Sequence, residues 1–317
     1  MTVPAQPPAA SAASRPTQRL SVQSSLSAFG TNAVFSIARR FPWLMEALIP
    51  LFVRIAWWTT PKLRDNTMAN ARRLLGAESS RSRRRRLARR MIAGSCRFVV
   101  DLSRGGRRSL EQLFDSIETI EGSDHYDAAR EAQKGLIVAT AHLGSYEVGL
   151  AALRQREPDV HVVFQRDPLP RFEALRRTLH ERLGVHEVPV DDGMDTWVRL
   201  RDALGRDEVV VMQADRVMPG QKGRAVEFFD DHLELPLGPL KLAKLTGAPI
   251  LPIFAINRGR GKVRIVIEPA VEVNADGRSD ESCLQQIGAS IQRVVQAHPQ
   301  QWMVLEKAWL EDQAAVE

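Results

Sequence analysis

The chain predicts an α/β fold, with a central, largely parallel sheet flanked by helices and a helical region ahead of it. Three observations carry this prediction. From about Ile117 onward, short apolar runs recur at "GLIVATA" (135–141), "HVVFQ" (161–165), "HEVPV" (186–190) and "EVVVMQ" (208–213). Runs of this length suit strands buried on both faces. Amphipathic stretches of helical period stand between them, and such alternation implies parallel strands joined by crossovers. The length, 317 residues at 44% hydrophobic, suffices for one sizeable α/β domain with a smaller appended unit.

Residues 1–20, rich in Pro, Ala and Ser, read as a disordered tail with no cleavable signal peptide. Residues 21–115 read as a helical, membrane-associating region, and 116–317 as the α/β domain. Within the first of these, "FPWLMEALIPLFVRIAWW" (41–58) is nearly long enough to span a bilayer, but Glu46, Pro50 and Arg54 interrupt it. Each charge at mid-bilayer costs about 2.5–3.5 kcal/mol. An interfacial helix is therefore expected, with Trp43, Trp57 and Trp58 at headgroup depth; the alternative is a helix packed against the domain. "RSRRRRLARR" (81–90) places seven arginines in ten positions on a helix expected from about Ser80 to Leu102. No nucleic-acid-reading motif accompanies them, so anionic lipid or an acidic carrier protein is the expected partner, and nucleic acid is not. The net charge of +6 agrees with such partners.

In the α/β part, Phe172, Leu175, Leu179 and Leu183 mark one face of a helix, and "DTWVRLRDALG" forms another, with Gly205 as a candidate cap. After a looser stretch come a helix at "LGPLKLAKLTG" and a hairpin of "PILPIFAI" with "KVRIVIE", expected at the sheet edge. A last helix near 280–298 presents Leu284, Ile287, Ile291 and Val294 on one side. Cys96 and Cys283 match no metal or redox spacing and suit a reducing, cytosol-facing environment.

The chemistry concentrates at "TAHLGSYEVG" (140–149). His142 leaves the carboxyl end of a strand, where open α/β sheets place their ligands. Ser145 is a good N-cap, which puts Glu147 in the first turn of the next helix. The loop through Gly144 lets that carboxylate reach the imidazole, fixing its tautomer and leaving the other nitrogen to take a proton from a hydroxyl. Backbone N–H groups at the helix N-terminus are available to an oxyanion. The other histidines, among them His161, His180, His186, His232 and His298, have no partner at useful spacing.

"GLIVATAHLGSYEVG" resembles the H-x-x-x-x-[D/E] block of the glycerolipid and lipid A acyltransferases, especially the bacterial lipid A (lauroyl/myristoyl) acyltransferase family. "IEGSDHYDAAREAQKG" matches that family's approach to the histidine, and "VFQRDPLPRFEALRRTLHERLG" its second block. "MQADRVMPGQKGRAVEFFDDHLELPLGPLKLAKLTGAPILPIF" resembles its third and fourth blocks, and "HPQQWMVLEKAW" its closing segment. The likeness covers roughly the last two thirds of the chain, in order. It departs in the order Gln213–Ala214–Asp215 and in Glu306 and Lys307.

The resemblance implies an O-acyltransferase that moves a fatty acyl chain from acyl carrier protein or coenzyme A to a hydroxyl of a membrane lipid or lipid A-type glycolipid. It implies His142 as general base and Glu147 as its carboxylate partner. Arg166 falls near a phosphate or sugar, or at the oxyanion, and Asp215 (alternatively Gln213) falls at the third-block acid. Gly144 and Ser145 border the substrate, and Phe228 and Phe229 are read as wall or core of an acyl pocket. No metal or cofactor is required, and the cytoplasmic face of the inner membrane is the expected location. A thioester hydrolase using the same dyad and a non-enzymatic basic binding module are the alternatives.

Overall fold

The computed structural model describes residues 40–105, 108–167, 170–218, 221–273 and 279–314. The expected disordered tail, 1–20, lies outside them.

Three helices lead in: α1 (Pro42–Thr59), α2 (Pro61–Leu75) and α3 (Arg81–Gly105), followed by a short α4 (Leu110–Phe114). The α/β part then runs β1 (Ile117–Glu121), α5 (Ser123–Glu131), β2 (Leu136–Thr140), α6 (Tyr146–Arg156), β3 (Val160–Phe164), α7 (Pro170–Leu183), β4 (His186–Pro189) and α8 (Met194–Gly205). It continues through β5 (Val209–Gln213), β6 (Gly223–Phe228), β7 (Asp231–Pro236), α9 (Gly238–Thr246), β8 (Ile250–Gly259), β9 (Lys262–Ile267), α10 (Asp280–Ala297) and α11 (Leu310–Ala314).

Seven strands form one sheet in the order β1-β9-β8-β2-β5-β3-β4. Neighbours from β8 to β4 are parallel, and β9 runs antiparallel to β8. The α/β prediction with a mostly parallel sheet therefore holds. The hairpin β8–β9 exists, but it is not the edge: β1 pairs parallel with β9 and closes that side. A chain segment far away in sequence supplied the edge strand, which no local pattern announces. The stretch read as loose is a second, two-stranded antiparallel sheet, β6–β7. Gly205 is the last helical residue of α8, and the left-handed turn falls two positions on, at Asp207 (φ 62°).

The central strands read as continuous apolar runs because both their faces are covered. Ile137 and Ala139 of β2 join a core with α8, α9, α10 and the N-terminal helices, while Leu136 and Val138 face α5, α6 and α7. Helices α1 to α3 share the first of these cores through Ile49, Val53, Trp57, Ala71, Leu87 and Met91. Buried Asn70 ties α2 to the closing segment, donating to the carbonyls of Val304 (3.0 Å) and Glu306 (2.7 Å) and accepting from Ala308 N–H (3.1 Å).

Among the described residues no helix is long and apolar enough to cross a membrane. One stripe of α1 is buried, and Trp57 belongs to it: 4% exposed, with the Arg89 guanidinium 4.9 Å over its ring. Trp57 is thus a core residue and not at headgroup depth. Trp43 (66%) and Trp58 (69%) are exposed, as are Leu51 and Ile55. Glu46, expected to disturb a span, pairs with Arg104 at 2.5 Å. The arginine run lies on α3. Arg83, Arg85, Arg86 and Arg90 face solvent, whereas Arg84 bonds Ser79 and the Ala77 carbonyl and Arg89 packs on Trp57.

Candidate active site

The apolar run of β2 ends at Thr140 and delivers His142 beyond the sheet's carboxyl edge. Both backbone groups of His142 are pinned. Its N–H donates to Asp215 Oδ2 (3.1 Å), and its carbonyl accepts from Met303 N–H (2.7 Å). Gly144 takes φ +70°, and a Cβ there would lie 1.9 Å from the Ala255 carbonyl oxygen, so only glycine lets the chain pass. Ser145 occupies the N-cap position of α6 as expected, yet its hydroxyl caps no backbone group. It donates instead to Glu147 Oε1 (3.0 Å).

The ring of His142 is oriented by Asp215. Nδ1 donates to Asp215 Oδ1 at 2.7 Å, and the second carboxylate oxygen accepts from Trp302 Nε1 at 2.9 Å. Asp215 is 0% exposed. Burial alone would raise its carboxyl. The facing His142, the hydrogen bonds from His142 and Trp302, and the Arg216 charge outweigh that and hold it below its ordinary value. An ionised carboxylate on Nδ1 settles the tautomer: Nδ1 carries the proton, and Nε2 offers a lone pair.

This corrects the expected pairing of His142 with Glu147. The loop does bring α6 back over the sheet, but Glu147 folds onto its own helix terminus, bonding its own N–H and Ser145. Burial raises its carboxyl above the ordinary range, and Oε2 finds no hydrogen-bond partner among the described residues. On α3, the Asp101 carboxyl is pushed up to about 7 by its own burial and then by the facing Glu147. Glu147 therefore supports the helix start and not the ring. The physical reason is register. β2 and β5 pair in parallel with Thr140 opposite Gln213, so the residues two steps beyond each, His142 and Asp215, leave the sheet side by side.

Four further expectations meet the structure here. Arg166 is exposed and ion-paired with Asp191 (2.8 Å) and Asp192 (2.7 Å), not with His142. Phe228 is fully buried between Trp302 and Trp309 at ring distances of 5.8 and 5.9 Å, a core residue, and Phe229 forms the β6–β7 turn at φ 57°. The backbone N–H groups of the strand exit ahead of α6 are engaged within the protein, which leaves the expected oxyanion donors to the first turn of α6. The N–H groups of His142, Leu143, Gly144 and Ser145 donate to Asp215, Ala141, Gln301 and Ala255. His180, read as a bystander, is buried between Glu187 (2.7 Å) and the hydroxyl of Tyr146 (2.8 Å), and burial lowers it to about 4. It braces the first residue of α6.

Two site residues escaped the sequence reading. Trp302 carried no signal beyond its place in the closing segment, where aromatics are expected to pack. Arg216 follows Asp215 directly, and its NH2 group lies 3.3 Å from His142 Nε2. Among the described residues no cluster of His, Cys, Asp or Glu is arranged to hold a metal ion.

The family model described as bacterial lipid A biosynthesis acyltransferase matches residues 17–311. A phosphatidylinositol mannoside acyltransferase of Mycobacterium tuberculosis is 29% identical over 217 residues, 68% of this chain and 67% of that protein. The enzyme of the same name from Mycolicibacterium smegmatis is 24% identical over 231 residues, 71% of this chain and 73% of its own. The solved 1-acyl-sn-glycerophosphate acyltransferase PlsC of Thermotoga maritima aligns with a TM-score of 0.38 at 16% identity, over 83% of this chain and 99% of that one.

Proposed function

The chain belongs to the bacterial lipid A biosynthesis acyltransferase family and is an O-acyltransferase acting on lipid-type acceptors, and from this we propose a mechanism in which His142 is the general base and Asp215 its partner. The observation that carries this reading is the 2.7 Å bond from His142 Nδ1 to a buried, ionised Asp215, which leaves Nε2 as a base on the outer side of the ring. An acyl thioester, on coenzyme A or acyl carrier protein, brings its carbonyl to the strand exit. Nε2 takes the proton of the acceptor hydroxyl as that oxygen attacks, and Asp215 stabilises the imidazolium that forms. Positioned proton transfer of this kind contributes about 10²–10⁴-fold to a rate. The names of the mycobacterial relatives favour a phosphatidylinositol mannoside-type glycolipid acceptor over a lipid A precursor.

Purified protein incubated with acyl-coenzyme A and such a glycolipid is expected to release thiol and form acylated lipid one for one. If mass spectrometry instead finds free fatty acid, equal in amount with and without the acceptor, the protein is a thioester hydrolase.

We further place the protein on the cytoplasmic face of the inner membrane. Trp43, Leu51, Ile55 and Trp58 recur at helical spacing along the exposed side of α1, and Arg83, Arg85, Arg86 and Arg90 supply positive charge on α3. Replacing Trp43 and Trp58 with serine is expected to weaken flotation with anionic vesicles at least about tenfold, given the apolar area each indole carries. Unchanged flotation would mean that the stripe meets something other than lipid.

A further inference from the structure

Acyl transfer at the strand exit needs one component besides the base and its carboxylate. When the acceptor oxygen attacks the thioester, the carbonyl π pair moves onto its oxygen, and that negative charge requires donors placed in advance. Of the backbone N–H groups at the strand exit, those of residues 142 to 145 all donate within the protein. The N–H of Glu147 is taken by its own carboxylate. Arg166, the cation expected there, is engaged by Asp191 and Asp192.

What stands at Nε2 is Arg216. Its NH2 approaches the ring nitrogen to 3.3 Å, and its buried Nε–H has no hydrogen-bond partner among the described residues. A guanidinium carries five N–H donors, so it can approach Nε2 and still offer a donor to a second acceptor at the place where the acceptor hydroxyl must enter. His142 thus lies between Asp215 on one nitrogen and Arg216 on the other.

We infer that Arg216 is the oxyanion-stabilising residue of the site, a catalytic side chain with donors aimed at the thioester carbonyl oxygen; this rests on the acyl-transfer reading above. In the free protein the guanidinium occupies the lone pair of Nε2. The entering hydroxyl displaces it and donates to Nε2 in its place. The hydroxyl proton then passes to Nε2 while the new C–O bond forms and the carbonyl becomes an oxyanion. Each charge created has a counter-charge already beside it: imidazolium against Asp215, oxyanion against Arg216. Collapse of the intermediate restores the carbonyl, breaks the C–S bond, and returns the proton from Nε2 to the departing sulfur. The products are an ester and a free thiol, with no charge left over. Holding both counter-charges in place before the reaction removes the reorganisation that water would require.

The experiment compares full-length wild type, Arg216→Lys, Arg216→Gln and Arg216→Ala with acyl-coenzyme A and the glycolipid acceptor, with thermal melting as the folding control. Arg216→Gln is expected to lower kcat about 10²–10³-fold with KM changed only a few-fold, the mark of a contact made in the transition state. Arg216→Lys should fall between, because it keeps the charge and loses the fork of donors. Activity of Arg216→Ala should recover saturably with methylguanidine at non-denaturing concentration, which a structural arginine would not allow. A rise in KM for acyl-coenzyme A with kcat intact would make Arg216 a substrate anchor and overturn the inference. So would wild-type kcat in Arg216→Gln. Should Arg216→Ala fail to fold, the kcat of Arg216→Lys decides, since wild-type turnover there removes any need for the guanidinium. If the wild-type protein itself transfers no acyl chain, the acyl-transfer reading has failed, and that result is separate from these.

Discussion

His142→Ala is expected to lower acyl transfer by about 10²–10⁴-fold or more while the protein stays folded. The side chain is 20% exposed at a strand exit, so its removal opens no core cavity. Asp215 loses its Nδ1 donor but keeps Trp302 Nε1 and the backbone N–H of residue 142. A buried carboxylate short of one donor costs about 1–3 kcal/mol, which lowers the melting temperature without abolishing the fold. The measurement is acylated lipid by mass spectrometry beside a thermal melt. Wild-type product formation in a folded variant would remove His142 from the chemistry.

Asp215→Asn separates the two carboxylates near the ring. Asp215 accepts three hydrogen bonds, two from His142 and one from Trp302, and an asparagine has one acceptor oxygen and a donor amide. If the amide faces Nδ1, the ring must switch tautomer and Nε2 carries the proton, so it is no longer a base. If it faces Trp302 and the backbone N–H, donors oppose donors in a buried site. Either way the expected loss in kcat is about 10³–10⁴-fold. Glu147→Gln should cost far less, within about tenfold, because Glu147 has no hydrogen bond to His142 and glutamine preserves the bond from Ser145. Losses of equal size in the two variants would contradict the assignment of Asp215 as the partner of His142.

The arrangement of the N-terminal third shows why a composition argument reached only part of the way. In "FPWLMEALIPLFVRIAWW" the apolar residues run all round the helix, so sequence spacing alone does not say which side is buried and which is exposed. The structure divides them. Met45, Ile49, Val53 and Trp57 are buried, and Trp43, Leu51, Ile55 and Trp58 are exposed. Trp57 and Trp58 are adjacent in sequence and have opposite fates, because neighbouring residues on a helix point about 100° apart.

By itself the sequence determined the local things. Apolar runs set the buried strands, helical periodicity set the crossovers, and His142 was placed at a strand exit next to a helix start. These depend on interactions within a few residues, where spacing and chemistry suffice. The partner of His142 was not of that kind. Five residues away in sequence stood Glu147; seventy-three residues away stood Asp215, followed by Arg216, with Trp302 farther still. Which carboxylate reaches Nδ1 depends on β2 pairing with β5 in the register that sets Thr140 opposite Gln213. A slip of one residue would turn alternate side chains to the other face and part the pair. Register is a property of two strands packed together under two helical layers, so only the tertiary structure could decide it.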